Sequence, residues 1–145
     1  MKRAFTLIEL LLVVAMIGLL VFVSGPIYQV FQGRNDLQIA GETLANNLRR
    51  AQFLSQGGVE NSAWGVNIST TSPTITLFKG DNFVSRDATW GEATTLSSGI
   101  IPSGLLEVDF AKFSGVPSNT GTTTLTLNSQ TVYYVNINSE GRVNY

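Results

Sequence analysis

From Phe5 to Val23 every position is apolar or small except Thr6 and Glu9. A helix over that run rises roughly 28 Å at about 1.5 Å per residue, close to the roughly 30 Å of bilayer hydrocarbon, so the run is expected to span a membrane. After Val23 the pattern turns amphipathic. Leu37, Ala40, Leu44, Leu48 and Ala51 recur at three- and four-residue spacing, while Asn35, Gln38, Glu42, Asn46 and Arg49 fall on other faces. One long helix is therefore predicted from Phe5 to about Gln56, where Gly57-Gly58 supplies a stop. Such a rod is about 75 Å long, more than the remaining chain can cover, so its first half needs burial by a membrane or by other subunits.

Gly18 and Pro26 lie inside the rod. Pro26 lacks a backbone donor and disfavours helix at Gly25, and Gly18 weakens the helix locally; taken alone, these residues fit a simple proline kink at the membrane exit. Lys2 and Arg3 directly precede the apolar run and would stay on the cytoplasmic side by the positive-inside rule, sending the rest of the chain outward.

From Trp64 onward the period changes to two. Trp64, Val66 and Ile68 alternate with Gly65 and Asn67, and Thr74 to Phe78 is a second strand candidate. Leu106, Val108 and Phe110 alternate with Glu107 and Asp109. Thr122 to Leu127, Thr131 to Asn138 and Arg142 to Tyr145 read as hairpin-linked strands, turning at Asn128-Ser129-Gln130 and Ser139-Glu140-Gly141. Phe83 to Ser103 has no clear period and is expected to be loop with one or two short strands. A sheet with one apolar face needs a cover, and the stripe from Leu37 to Ala51 is the available one. The fold class is thus α+β: a long N-terminal helix packed on an antiparallel sheet.

Composition narrows the chemistry. The 145 residues allow one core plus an extended element, and charged residues are only 13% of the chain. With 9 Lys+Arg against 10 Asp+Glu, no overall field exists to gather nucleic acid or anionic lipid. There is no Cys and no His, which removes disulfides, thiol nucleophiles, structural zinc sites and histidine bases. Asp81, Asp87, Glu107 and Asp109 show neither calcium-loop spacing nor a paired base, and solvated loop charges are the expected reading. Arg49 and Arg50 are expected to be a solvated helix face or a subunit contact rather than a phosphate patch. Tyr133, Tyr134 and Tyr145 are expected to pack on neighbours, and Asn67-Ile68-Ser69 is a sequon by pattern alone. Neither catalysis nor a cofactor is expected.

Glu9 is the residue that a plain signal peptide or signal anchor leaves unexplained. A carboxylate in an apolar helix costs on the order of 2.5–3.5 kcal/mol at the bilayer centre and less near the interface, so it usually has a partner. A removed signal peptide would also need a small-x-small site after the run, and the weak imitation at Val23-Ser24-Gly25 is followed at once by Pro26.

The segment Ala4-Phe5-Thr6-Leu7-Ile8-Glu9 closely resembles the processing site of type IV prepilins and type II secretion pseudopilins. The resemblance implies cleavage by a membrane prepilin peptidase between Ala4 and Phe5, N-methylation of Phe5, and an assembly role for Glu9. Ala4 stands where the family most often has Gly; it is small, and processing is still expected. Cleavage leaves a positive amine on Phe5 that needs an anionic partner in an apolar filament core, and Glu9 of a neighbouring subunit can meet it. Family members often carry a helix-breaking pair in the stretch where Gly18 and Pro26 stand, which implies a segment that loosens as a filament lengthens. The implied organisation is a leader at 1–4, a transmembrane and filament-core helix at 5–25, an amphipathic helix at 26–56 and a β-rich head at 57–145.

Leu48-Arg49-Arg50-Ala51-Gln52 followed by Trp64-Gly65-Val66, and the terminal Ser139-Glu140-Gly141-Arg142-Val143, resemble the branch that includes the type II secretion protein called H and the competence pilin FimT. FimT-like proteins can bind DNA through basic residues near the C-terminus. Here Gly141-Arg142-Val143-Asn144-Tyr145 has a single cation, and losing Lys2 and Arg3 with a leader lowers the formal charge of −1 by a further two. Phosphate neutralisation needs several cations together, so nucleic acid is not an expected partner. The resemblance implies a structural subunit of a type IV pilus or pilus-like filament, with identical or related pilins, the peptidase and an assembly platform as partners. It implies residence in the cytoplasmic membrane before assembly and in an extracellular filament afterwards. The alternatives are a minor pilin or secretion pseudopilin, and, outside the family, a surface binding domain on a permanent anchor.

Overall fold

The computed structural model describes residues 6–129 and 131–145, with the side chains of 23–27 outside the description. Two compact units, Met1–Gly33 and Arg34–Tyr145, are distinguished by their internal contacts. A single helix, α1 (Leu7–Gln56), contributes to both.

In the first unit the described side chains from Thr6 to Phe22 are all exposed. Among the described residues no helix is long and apolar enough to cross a membrane. The expected spanning segment, 5–25, includes Phe5 and the side chains of 23–25, which lie outside the described residues.

In the second unit the helix carries a buried stripe of Leu37, Ala40, Leu44, Ala45, Leu48 and Ala51. The predicted periodicity is fulfilled at every named apolar position, and Asn35, Gln38, Glu42, Asn46 and Arg49 are exposed. The helix ends at Gln56, and the Gly58 backbone takes φ 59°, the left-handed conformation that favours glycine after a helix. A short 3-10 turn, Val59–Asn61, follows.

Eight strands complete the unit: β1 (Trp64–Ser69), β2 (Thr74–Lys79), β3 (Gly91–Thr95), β4 (Ile100–Gly104), β5 (Glu107–Phe110), β6 (Gly121–Leu127), β7 (Thr131–Ile137) and β8 (Val143–Asn144). They form two antiparallel four-stranded sheets, ordered β3-β2-β1-β5 and β4-β6-β7-β8, where the sequence suggested a single sheet. The division follows from the stretch without a clear period: β3 and β4 both arise there and join different sheets. Asn128 and Ser129 at the β6–β7 turn both have positive φ. One hydrophobic core unites the helix stripe with Val66, Ile68, Ile75, Leu77 and Phe110 from the first sheet and Ile100, Leu125, Val135 and Ile137 from the second. Gly65 is dictated by packing, since a Cβ there would lie 2.5 Å from the Phe78 ring and 2.8 Å from the Val108 carbonyl oxygen.

Candidate functional site

The start of α1 is built by Thr6. Its Oγ1 accepts the Glu9 backbone N–H at 3.3 Å, and its carbonyl accepts the Leu10 N–H at 3.3 Å. Thr6-Leu7-Ile8-Glu9 is a helix-start signature, a hydroxyl residue with an acid three positions later. Glu9 thus stands in the first turn of the helix, where the exposed N–H groups favour a negative charge. The sequence reading assigned Glu9 an intermolecular role and passed over Thr6; the Thr-x-x-Glu spacing was the signal available for it.

Ala4 and Phe5, the expected cleavage and methylation positions, lie outside the described residues. Glu9 is exposed. At Gly18 an added Cβ would meet nothing within 4 Å, so packing within this chain does not require a glycine there. The helix runs on through Gly18 and Pro26, while the Pro26 side chain lies outside the description. Around these positions Leu7 and Phe22 are 78% and 83% exposed, and Leu11, Leu12, Met16 and Leu20 are exposed as well. The segment is apolar on all sides, with Glu9 as its one carboxylate. Chemically it can bury itself in an apolar environment and offer one anion near its N-terminus.

The remaining candidate residues are engaged within the second unit. Arg49 donates to the Val143 carbonyl at 3.2 Å and lies 5.0 Å from the Tyr145 ring centroid. Arg50 donates twice to the Glu92 carboxylate, and those hydrogen bonds hold Glu92 below the usual carboxylate range. The two arginines, expected to be a solvated helix face or a subunit contact, are both exposed and also tie the helix to β8 and β3. Tyr133 stacks on Tyr145 at 6.3 Å and its ring lies against Gly41, where a Cβ would come within 2.2 Å of it. Burial, with Glu42 nearby, pushes the Tyr133 phenol up. Tyr134 on the opposite face of β7 is exposed.

The acids do not gather. Asp87 accepts from the Thr89 hydroxyl and N–H, which lowers it below its ordinary range, with Lys79 adding to the effect. Glu107 accepts from Asn67 Nδ2 at 3.0 Å and from the Phe83 N–H at 2.8 Å, and Asp109 accepts from Ser118 Oγ at 2.7 Å. Among the described residues no group of three potential metal ligands is close enough to hold an ion. The sequon residue Asn67 sits mid-strand with its amide bound to Glu107.

Neither a protein-family profile nor a curated protein matches the chain. Among solved structures, the minor pseudopilin EpsH of the type 2 secretion system of Vibrio cholerae is similar at 13% identity, with a TM-score of 0.56 over 75% of this chain and 94% of that one. At this identity the likeness is one of fold: a long N-terminal helix packed on antiparallel sheet, the pseudopilin-like α+β architecture.

Proposed function

We propose that the chain is a structural subunit of a type IV pilus or pilus-like filament, without catalytic activity of its own. In this reading prepilin peptidase cuts between Ala4 and Phe5, Phe5 is N-methylated, and the helix from Phe5 onward rests in the cytoplasmic membrane before it joins related subunits in an extracellular filament. The observation that carries the reading is the state of the first unit: an apolar helical run whose described side chains are all exposed. Burying one leucine-sized side chain is worth roughly 1.5–3 kcal/mol, so a row of them strongly favours an apolar environment outside the chain.

Glu9 then answers the new amine of Phe5 on a neighbouring subunit. Breaking such a buried pair by deleting one partner typically costs about 3–5 kcal/mol. We expect Glu9→Ala to be cleaved and inserted like the parent chain but to yield few or no sheared filaments; normal filament yield would remove the assembly role. Mass spectrometry of the N-terminal peptide tests the processing step, since only a prepilin yields methylated Phe5. Gly18 and Pro26 are assigned to a segment that loosens within the filament.

The similarity in fold to a minor pseudopilin favours a second reading, a scarce subunit that primes or tips a short filament. Abundance separates the two, because a major subunit dominates sheared filaments. A chain that still begins at Met1 in cells would point to a permanently anchored surface domain.

A further inference from the structure

Strand β3 is the outer strand of its sheet, and all five of its residues are exposed. The register sets Ile75 opposite Thr94 and Leu77 opposite Glu92. One step beyond the strand, the Leu96 N–H donates to the Pro73 carbonyl at 2.8 Å. Inward-bonding positions alternate in an antiparallel ladder, so Thr94 and Glu92 also bond towards β2. The N–H and C=O groups of Gly91, Ala93 and Thr95 therefore point to the free edge. Among the described residues no strand meets them there.

Natural edge strands are usually blunted by Lys, Pro, a bulge or an outward charge. β3 contains neither Lys nor Pro, and its one charge, Glu92, is tied back to Arg50. The Glu92 and Thr94 side chains share the sheet face of buried Ile75 and Leu77, the face covered by α1. Two cavities open along this seam between β3 and α1. One, of about 110 Å³, lies beside Gly91 and Glu92 and is walled mainly by Leu54, Leu77, Trp64 and Trp90. The other, of about 210 Å³, lies beside Thr94–Leu96 and is bounded by Asp36, Ile39 and Thr43. Their strand-side walls are about four residues apart, roughly 13 Å at the strand rise.

We propose that the free edge of β3 receives an extended, basic segment of a partner protein by strand addition. Main-chain bonds to Gly91, Ala93 and Thr95 hold the added strand. Alternate side chains of that strand fall on the α1 side, so two apolar residues four positions apart seat in the two cavities. The sign of the partner follows from the charges along the seam. Arg50 is spent on Glu92, Glu60 lies 3.8 Å from Lys79, and Asp36 has no ion-pair partner among the described residues. A second copy of β3 would bring no free cation to Asp36, since its one charge, Glu92, is paired with Arg50, so identical edges lack a complementary charge. The site stands independently of the filament reading.

The test uses the isotope-labelled full chain in detergent micelles and a ten-residue synthetic peptide of alternating pattern, with two leucines four positions apart and a lysine at each end. Binding should shift the amides of Gly91, Ala93 and Thr95, slow their hydrogen exchange, and perturb α1 around Asp36 and Arg50. Ala93→Pro removes an outward donor without breaking the ladder to β2, so it should weaken binding at least tenfold with little change in thermal midpoint. A peptide with its leucines three positions apart puts one on the wrong face and should also bind at least tenfold more weakly to the unmodified chain, a comparison that needs no variant. Unchanged affinity for either control, or shifts confined to another surface, overturns the proposal. So does concentration-dependent broadening of residues 91–95 without peptide, which would assign the edge to a second copy.

Discussion

The two stretches of α1 satisfy the same helical backbone rule in opposite ways. Residues 37–51 place every third or fourth side chain in a core built by their own chain: Leu44, Ala45 and Ala51 are fully buried. Residues 7–22 are more apolar, yet their described side chains are all exposed. Hydrophobicity alone therefore does not say where a segment is buried; the distribution around the helix does. An apolar stripe with polar flanks matches a cover on one side, supplied here by two sheets. A helix that is apolar all round calls for cover on all sides, which the described part of this chain does not provide.

The largest effect that sharpens this contrast is expected from matched truncations. Leu44→Ala should lower the unfolding free energy of the head by about 2–5 kcal/mol through a core cavity. Leu12→Ala, in the exposed run, should change it by less than about 0.5 kcal/mol. Denaturation of the full chain in micelles, followed by tryptophan fluorescence from Trp64 and Trp90, reads both. Equal losses from the two variants would break the distinction.

A smaller effect is expected where the helix is locked to the first strand. Ser55 is fully buried; its Oγ accepts the Trp64 N–H at 2.9 Å and donates to the Trp64 carbonyl at 3.4 Å. Its own carbonyl accepts the Phe113 N–H at 2.8 Å. Ser55→Ala removes both bonds of this buried hydroxyl to the Trp64 backbone and should cost about 1–3 kcal/mol. Amide exchange at Trp64 should quicken more than exchange at Val135, on the other sheet; uniform acceleration would show that the bond has no local role.

The smallest expected effect concerns the Arg50–Glu92 pair, both partners of which are more than half exposed. Exposed pairs contribute roughly 0.2–1 kcal/mol, and a double-mutant cycle with Arg50→Gln and Glu92→Gln should fall in that range. The Glu92 carboxyl is held low in the folded state by Arg50. Its contribution is therefore present above the unfolded glutamate range and fades as pH falls through the depressed folded value. A coupling of equal size at pH 7 and pH 2 would contradict this.

Much of the head is legible in the sequence because burial writes a period. The stripe from Leu37 to Ala51, the alternation in Trp64-Gly65-Val66-Asn67-Ile68, and Leu106, Val108 and Phe110 each mark a face turned towards the core. β3 could not be read so directly. Gly91-Glu92-Ala93-Thr94-Thr95 is exposed at every position, so no apolar alternation marks it. The split into two sheets also escaped the pattern, since alternation shows that a strand has an inner face but not which strand lies beside it. Arg49 and Arg50 appear in sequence as an adjacent charged pair; that one reaches Val143 and the other Glu92 depends on contacts 94 and 42 residues away.

Glu9, for which an assembly role is proposed, contrasts with these in a different way. Glu9 stands out in the sequence because a carboxylate among apolar residues is costly, and that cost is a local property. Its cap-side neighbour Thr6 is equally local and rests on the Thr-x-x-Glu spacing. The sequence by itself determined the long helix, the change from an all-round apolar run to a one-sided stripe, and most of the strands, because each depends on the order of residues along one element. Only the tertiary structure decided the pairing of the strands, the free edge of β3 and the cavities beside it, because these depend on long-range hydrogen bonding and on surfaces that meet only after the chain has folded.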